Sequence, residues 1–125
     1  MVHIREDRAI VIAPCVITLR FIENDKEYDF TSYVRLLYRA QRLGPMPAWK
    51  VLSLGTVYVQ DAVVPSSPSP HQSSVINTTF RRQSYKHLCW LLERSGFELS
   101  DDLPGADDPL NIDREIAKLF QWLHG

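Results

Sequence analysis

The sequence predicts an α+β fold in which an antiparallel sheet of about four strands packs against two or three helices. Three observations indicate this class: apolar and polar residues alternate in the first third and the middle of the chain, turn residues separate those stretches, and a helical period runs along the C-terminal end. The predicted order is β-β-α-β-β-α-α, with the helices on one side of the sheet. A length of 125 residues is typical of one domain, so we expect a single domain over 1–125.

The first two strands follow from alternation and turn chemistry. Ile10 to Ile22 is predicted as β, because apolar side chains recur at every second position in its second half. Pro14 marks an edge, a bulge or a break there, since proline cannot donate to a ladder. Residues 23–26 have turn composition, and residues 27–30 are the expected hairpin partner.

A helix is predicted next, from a cap at Thr31 or Ser32 to Leu43, where Gly44 and Pro45 end it. Its apolar face would be formed by Tyr33, Leu36, Leu37, Ala40 and Leu43. From Trp49 to Val64 the chain returns to β, with Gly55 as the expected bend or bulge between two strands. The composition of residues 65–76 predicts a Pro/Ser-rich loop.

Two further helices complete the prediction. One runs from about Thr79 to Ser95, capped by Asn77 or Thr78, with Gly96 as its left-handed C-terminal cap. Residues 98–110 form an acidic loop. Asn111 is the expected cap of the last helix, whose amphipathic period is carried by Ile112, Ile116, Leu119, Phe120 and Leu123.

Charge is strongly sorted along the chain, although the total is only −1. From residue 31 to residue 97 there are eight Lys or Arg against two acids, whereas from residue 98 onward there are seven acids against two Lys or Arg. A basic middle and an acidic end can present two opposite potentials or dock on one another. This pattern bears on partners and indicates nothing about a reaction.

The strongest functional hypothesis concerns the helix over residues 79–95. At about 100° per residue, Trp90 would lie opposite the apolar face, with cations one turn before and after it. Trp and Arg dominate the binding energy of protein interfaces. We therefore expect a small non-enzymatic module (accessory, adaptor, regulatory or inhibitory) that docks on an acidic protein surface through Trp90, Lys86, Arg94, Arg82, Arg81, Arg35, Arg39 and Arg42.

Alternatives remain open at this point. Trp90 could instead pack inside the fold, beneath the last helix or the Pro/Ser loop, and the acidic loop could neutralise the arginines within the molecule. A single-stranded nucleic acid could use the same basic patch, with Trp90 as a stacking platform. Exposed tryptophans could also serve a homodimer.

Several function classes lack support in the sequence. There is no zinc spacing, glycine-rich phosphate loop or nucleophile elbow, so we expect no metal, no cofactor and no enzymatic activity. No segment approaches the ~20 apolar residues that a membrane span needs. Two cysteines in apolar stretches and no signal-peptide pattern favour a cytoplasmic protein.

Overall fold

The computed structural model describes residues 1–45, 48–67 and 81–125. Four strands form one antiparallel sheet in the order β1-β2-β3-β4: β1 (Val2–Arg5), β2 (Arg8–Glu23), β3 (Lys26–Arg42) and β4 (Trp49–Pro65). A 3₁₀ turn over Gln83–Tyr85 leads into α1 (Lys86–Arg94), and α2 spans Pro109–His124. The antiparallel sheet and the two helices confirm the α+β class, but the strands come first and the helices last.

The hairpin between β2 and β3 confirms the turn predicted at residues 23–26. Glu23 pairs with Lys26, and the register continues without interruption to Arg8 opposite Gln41. Asn24 and Asp25 both have positive φ, at 50° and 61°. Asn and Asp tolerate that conformation, which matches the twist of the flanking strands.

The predicted helix from residue 31 to Leu43 is wrong, because β3 continues through it to Arg42. Ser32 and Val34 are buried on one face of the sheet, and the next buried side chain, Leu37, lies on the other face. The buried side chains of β3 change from one face to the other here, so Val34 and the next buried residue, Leu37, are separated by a step of three residues. That step imitates the period of a helix.

The segment from Trp49 to Pro65 is one strand, so the predicted bend or bulge between two strands at Gly55 is also wrong. Gly55 pairs with Leu37, and a Cβ there would meet Leu37 Cβ at an ordinary 3.8 Å. The irregularities lie elsewhere in β4, at Leu52 and Val59, which the register with β3 skips. Bulges of this kind bend a long strand while it stays paired.

The two helices pack on opposite faces of the sheet rather than on one side. Val57 of β4 belongs to a core cluster with Leu119 and Leu123 of α2. The next residue, Tyr58, points to the other face, where its ring lies 5.2 Å from that of Tyr85 at the start of α1. Each helix therefore covers part of a different face.

The ends of the helices match the sequence prediction in part. Gly96 has φ +85° after α1, and Phe97 N–H donates to Leu92 O, as predicted for a left-handed C-terminal cap. At α2 the cap is Asp108 rather than Asn111, and Asp108 accepts a hydrogen bond from Asn111 N–H. The predicted caps of the preceding helix, Asn77 and Thr78, lie outside the described residues.

A buried carboxylate of β4 fixes the start of α1. The Asp61 side chain has 0% exposure. It accepts hydrogen bonds from the backbone N–H of His87 at 3.1 Å and of Leu88 at 2.9 Å, and from His87 Nδ1 at 2.7 Å. The first amides of a helix lack intrahelical acceptors and form its positive end, so Asp61 both caps α1 and ties it to the sheet.

Replacing Asp61 by Ala is expected to lower the free energy of unfolding by about 2–4 kcal/mol, because it leaves several buried donors without an acceptor. Urea unfolding followed by tryptophan fluorescence measures the change. Asp113→Ala, an exposed position on α2, is the control and should cost less than about 0.5 kcal/mol. Equal losses in the two variants would contradict this account of α1.

Candidate functional site

Arg82, one of the predicted partner-binding residues, is bound by the chain itself. Its guanidinium holds Asp107 with two hydrogen bonds, Nε to Oδ2 at 2.8 Å and Nη2 to Oδ1 at 2.6 Å. Ser84 Oγ donates to the same carboxylate at 2.7 Å. The hydrogen bond from Arg82 holds the pKa of the Asp107 carboxyl well below its usual range, and the bond from Ser84 lowers this pKa further.

The acidic segment around Asp107 therefore docks on the basic part of the chain. Tyr58 N–H of β4 donates to Pro104 O at 2.9 Å, and Ala106 N–H donates to Tyr58 O at 2.8 Å. Between them, Gly105 leaves no room for a side chain, because a Cβ would lie 2.8 Å from Ser84 Oγ. Of the alternatives left open by the sequence, internal neutralisation is the one observed for Arg82.

The other arginines near α1 also have acidic partners. Arg81 forms a bidentate pair with Glu93, including Nη1 to Oε1 at 2.6 Å, and Arg94 pairs with Glu23 at the end of β2. Lys86 is the exception, since its Nζ donates to the neutral Gln83 Oε1 at 3.4 Å. Most of the positive charge around α1 is thus compensated within the molecule.

Trp90 is partly buried rather than displayed. Its ring lies 5.8 Å from that of Phe21 on β2, and the Arg94 guanidinium covers it at 4.8 Å. The most buried hydrophobic residues in this part of the chain are Tyr85 and Cys89, with 0% and 4% exposure. The indole therefore packs along the border of the helix–sheet contact.

The predicted arginines of β3 do not converge with those near α1. Arg35 and Arg39 share a face with Leu37, which packs against α2, whereas α1 lies on the other face of the sheet. Arg42, at the end of β3, belongs to the face opposite Arg39, and its guanidinium lies 5.2 Å from the centre of the Trp49 ring. The predicted residues of β3 are therefore separate from those near α1, and Arg42 lies on the other face of the sheet from Arg35 and Arg39.

The sequence reasoning missed a cluster of arginines around Trp122 in α2. The guanidinium groups of Arg8 and Arg39 lie 5.2 Å and 5.9 Å from the centre of this ring. Arg8 donates to Trp122 O at 2.6 Å and Arg5 to His124 O at 3.2 Å. These two arginines satisfy carbonyl groups at the negative end of α2.

Arg39 has no comparable partner: its buried Nε atom donates no hydrogen bond to any described residue. We group Arg39 with three other cations of the sheet, Arg35 and Arg42 of β3 and Lys50 of β4, and call the four residues the basic strand pair. Within the described ranges, none of the four is in an ion pair. The rest of the chain, residues 46–47 and 68–80, contains no Asp or Glu that could supply one.

Two side chains of types that are often catalytic, His87 and Cys89, lie in surroundings that give them a structural role. His87 is bound to Asp61, and burial raises the pKa of the Cys89 thiol, which favours its unreactive protonated form. Among residues 1–45, 48–67 and 81–125, no group of His, Cys, Asp and Glu side chains is arranged to hold a metal ion. In the same ranges, no helix has the length and hydrophobicity needed to span a bilayer.

The Arg82–Asp107 pair predicts a pH dependence of stability. The folded-state pKa of Asp107 is depressed, so its contribution is present above the unfolded value of about 3.9 and is lost as the pH falls through the folded-state value. We expect the free energy of unfolding to decrease as the pH is lowered from about 5 toward 2, and to decrease less in Asp107→Asn. Urea unfolding at a series of pH values measures both slopes.

Asp113→Asn removes the same charge from an exposed position and should retain the native slope. If Asp107→Asn also retained it, the link between Asp107 and acid stability would be refuted.

Comparison with known proteins gives this chain no family: no family model matches it, and no curated protein matches it.

Proposed function

We propose that this chain is a small non-enzymatic protein-binding module that docks on an acidic surface of a partner protein. The observation that carries the proposal is the state of the basic strand pair, whose cations have no acidic partner among the described residues. This favours a contact on β3 and β4 over one on α1, where Arg81, Arg82 and Arg94 already bind Glu93, Asp107 and Glu23.

Two of these arginines are already positioned by aromatic rings. Arg39 lies over Trp122 and Arg42 over Trp49, at 5.9 Å and 5.2 Å from the ring centres. Cation–π contacts hold a guanidinium without using its hydrogen-bond donors. A carboxylate from a partner can therefore bind a side chain that loses little further conformational freedom.

Apolar side chains next to these cations suit a protein partner. Trp49, Val51, Leu52 and Leu54 of β4 are 40%, 63%, 47% and 56% exposed. Lys50 lies within this same stretch. Protein interfaces combine an apolar centre with a polar rim, and charged groups there set the orientation and the rate of association.

The chain also contains an internal example of the proposed contact. Its own acidic segment binds β4 through the backbone of Tyr58 and binds Arg82 through the Asp107 carboxylate. A partner that presents Asp or Glu residues would use the same chemistry on the N-terminal half of β4, beside Lys50 and Arg42.

One observation favours the nucleic-acid alternative. Trp49 is 40% exposed beside Arg42, and an exposed ring next to a cation is a platform for an unpaired base. The experiment below therefore compares an acidic peptide with a single-stranded oligonucleotide.

Substitution of the exposed cations is expected to weaken binding of an acidic probe. The variant is Arg35→Thr/Arg42→Thr/Lys50→Thr, and the probes are an Asp/Glu-rich peptide containing Leu and Phe, and an oligothymidylate of equal charge. Three exposed ion pairs at about 0.5–1 kcal/mol each correspond to a loss of about 10- to 100-fold in peptide affinity. Fluorescence anisotropy at several salt concentrations measures both probes.

The control Lys26→Thr/Arg114→Thr/Lys118→Thr makes the same change in net charge at other exposed positions and should retain the native affinity. Equal losses in both triple variants, or no binding of the peptide by the native protein, would overturn the proposal. Tighter binding of the oligonucleotide, lost in the first variant only, would replace the protein partner by a nucleic acid.

A further inference from the structure

The outer edge of β2 is paired over only part of its length. β1 pairs with Arg8–Val11, and one residue further along, Ile12 N–H donates to Met1 O while the Met1 amino group donates to Ile12 O. The backbone groups of even-numbered residues in β2 therefore point away from β3. Beyond Ile12 no described strand pairs with this side, so the ladder groups of Val16, Thr18, Arg20 and Ile22 have no strand partner within residues 1–45, 48–67 and 81–125.

Pro14 fits this geometry. Proline has no N–H, and its even-numbered position turns the nitrogen outward, so its pairing with Arg35 of β3 costs no ladder hydrogen bond. A strand of 16 residues can thus contain a proline without interruption. Of the alternatives that the sequence allowed for Pro14, the edge is the one observed.

The unpaired edge also exposes apolar side chains on both faces. Val16 and Ile22 are 55% and 64% exposed on the face of α2, and Ile17 and Leu19 are 45% and 51% exposed on the face of α1. An exposed strand edge with apolar residues on both sides is a template for the addition of another strand.

Charge identifies the strand that fits. Arg20 is the only Asp, Glu, Lys or Arg residue between residues 13 and 22, and its Nε already donates to Asp29 Oδ1 at 2.9 Å. The edge is electrically neutral, so it does not attract an acidic partner, whereas the basic strand pair does. A strand that is equally apolar and neutral is the complementary one, and β2 itself has these properties.

We propose that two copies of this chain pair antiparallel along β2 and form a continuous eight-stranded sheet. A two-fold axis must place outward-pointing residues opposite one another. An axis through Thr18 pairs the whole stretch 14–22, with Ile17 opposite Leu19 of the second copy on the face of α1. Arg20 then lies opposite Val16, and no like charges meet.

Leu19→Lys is expected to dissociate this dimer. A lysine opposite Ile17 of the second copy places a charge among apolar side chains, and the dimer dissociation constant should rise by about tenfold or more. Sedimentation velocity over a range of concentrations measures it. The control is Leu54→Lys, which makes the same change at a residue of 56% exposure on the other edge of the sheet and should leave the dimer intact.

A cross-linking experiment tests the same pairing without disturbing it. In a Cys15→Ala background, a mixture of Ile17→Cys and Leu19→Cys chains should form a disulfide faster than Leu54→Cys chains do. Native protein that stays monomeric at the highest concentration tested, equal effects of the two lysine variants, or cross-linking no faster than at residue 54 would overturn the proposal. The acidic-peptide probe concerns the opposite edge, so failure of either proposal is recognised separately.

Discussion

The pleat of the four-stranded sheet determines which side chains each of the two helices can cover. It sends the residues of β3 alternately to two faces, and each face is covered by a helix over only part of its area. Val34 belongs to the face of α1, and Leu37, three residues on, to the face of α2. The parts left open carry exposed apolar side chains such as Tyr33, Val16 and Leu54.

This arrangement also decides which cations are neutralised. The segment that leads into α1 and α1 itself lie beside the end of β2 and the acidic segment, and Glu23 and Asp107 reach Arg94 and Arg82 there. Asp61 fixes the helix in that position by accepting its first amides. The basic strand pair extends from the middle of β3 to its end and the start of β4, where no carboxylate among the described residues forms an ion pair with it. The fold therefore divides the cations into those near α1, which are mostly paired with acids, and the basic strand pair, which has no ion pair among the described residues.

Local patterns predicted the elements in which the buried side chains recur with a single period along the chain. The turn at Asn24–Asp25 and the apolar face of α2 followed from residue types and spacing alone. β3 was mistaken for a helix because its buried face changes between Val34 and Leu37, and no local rule indicates such a change. Its length of 17 residues is also far above that of a typical strand of about five or six.

The candidate site was predictable only as an excess of charge. Sequence identified Arg35, Arg39 and Arg42 as cations, but their contrast with Arg81, Arg82 and Arg94 depends on acids distant in the chain that the fold brings to the second group alone. The measurement that tests this contrast most directly is NMR mapping of the acidic peptide on the native protein. We expect amide shifts at 35–42 and 49–54 with α1 unchanged, whereas shifts centred on Lys86–Arg94 would show that α1 is the binding surface.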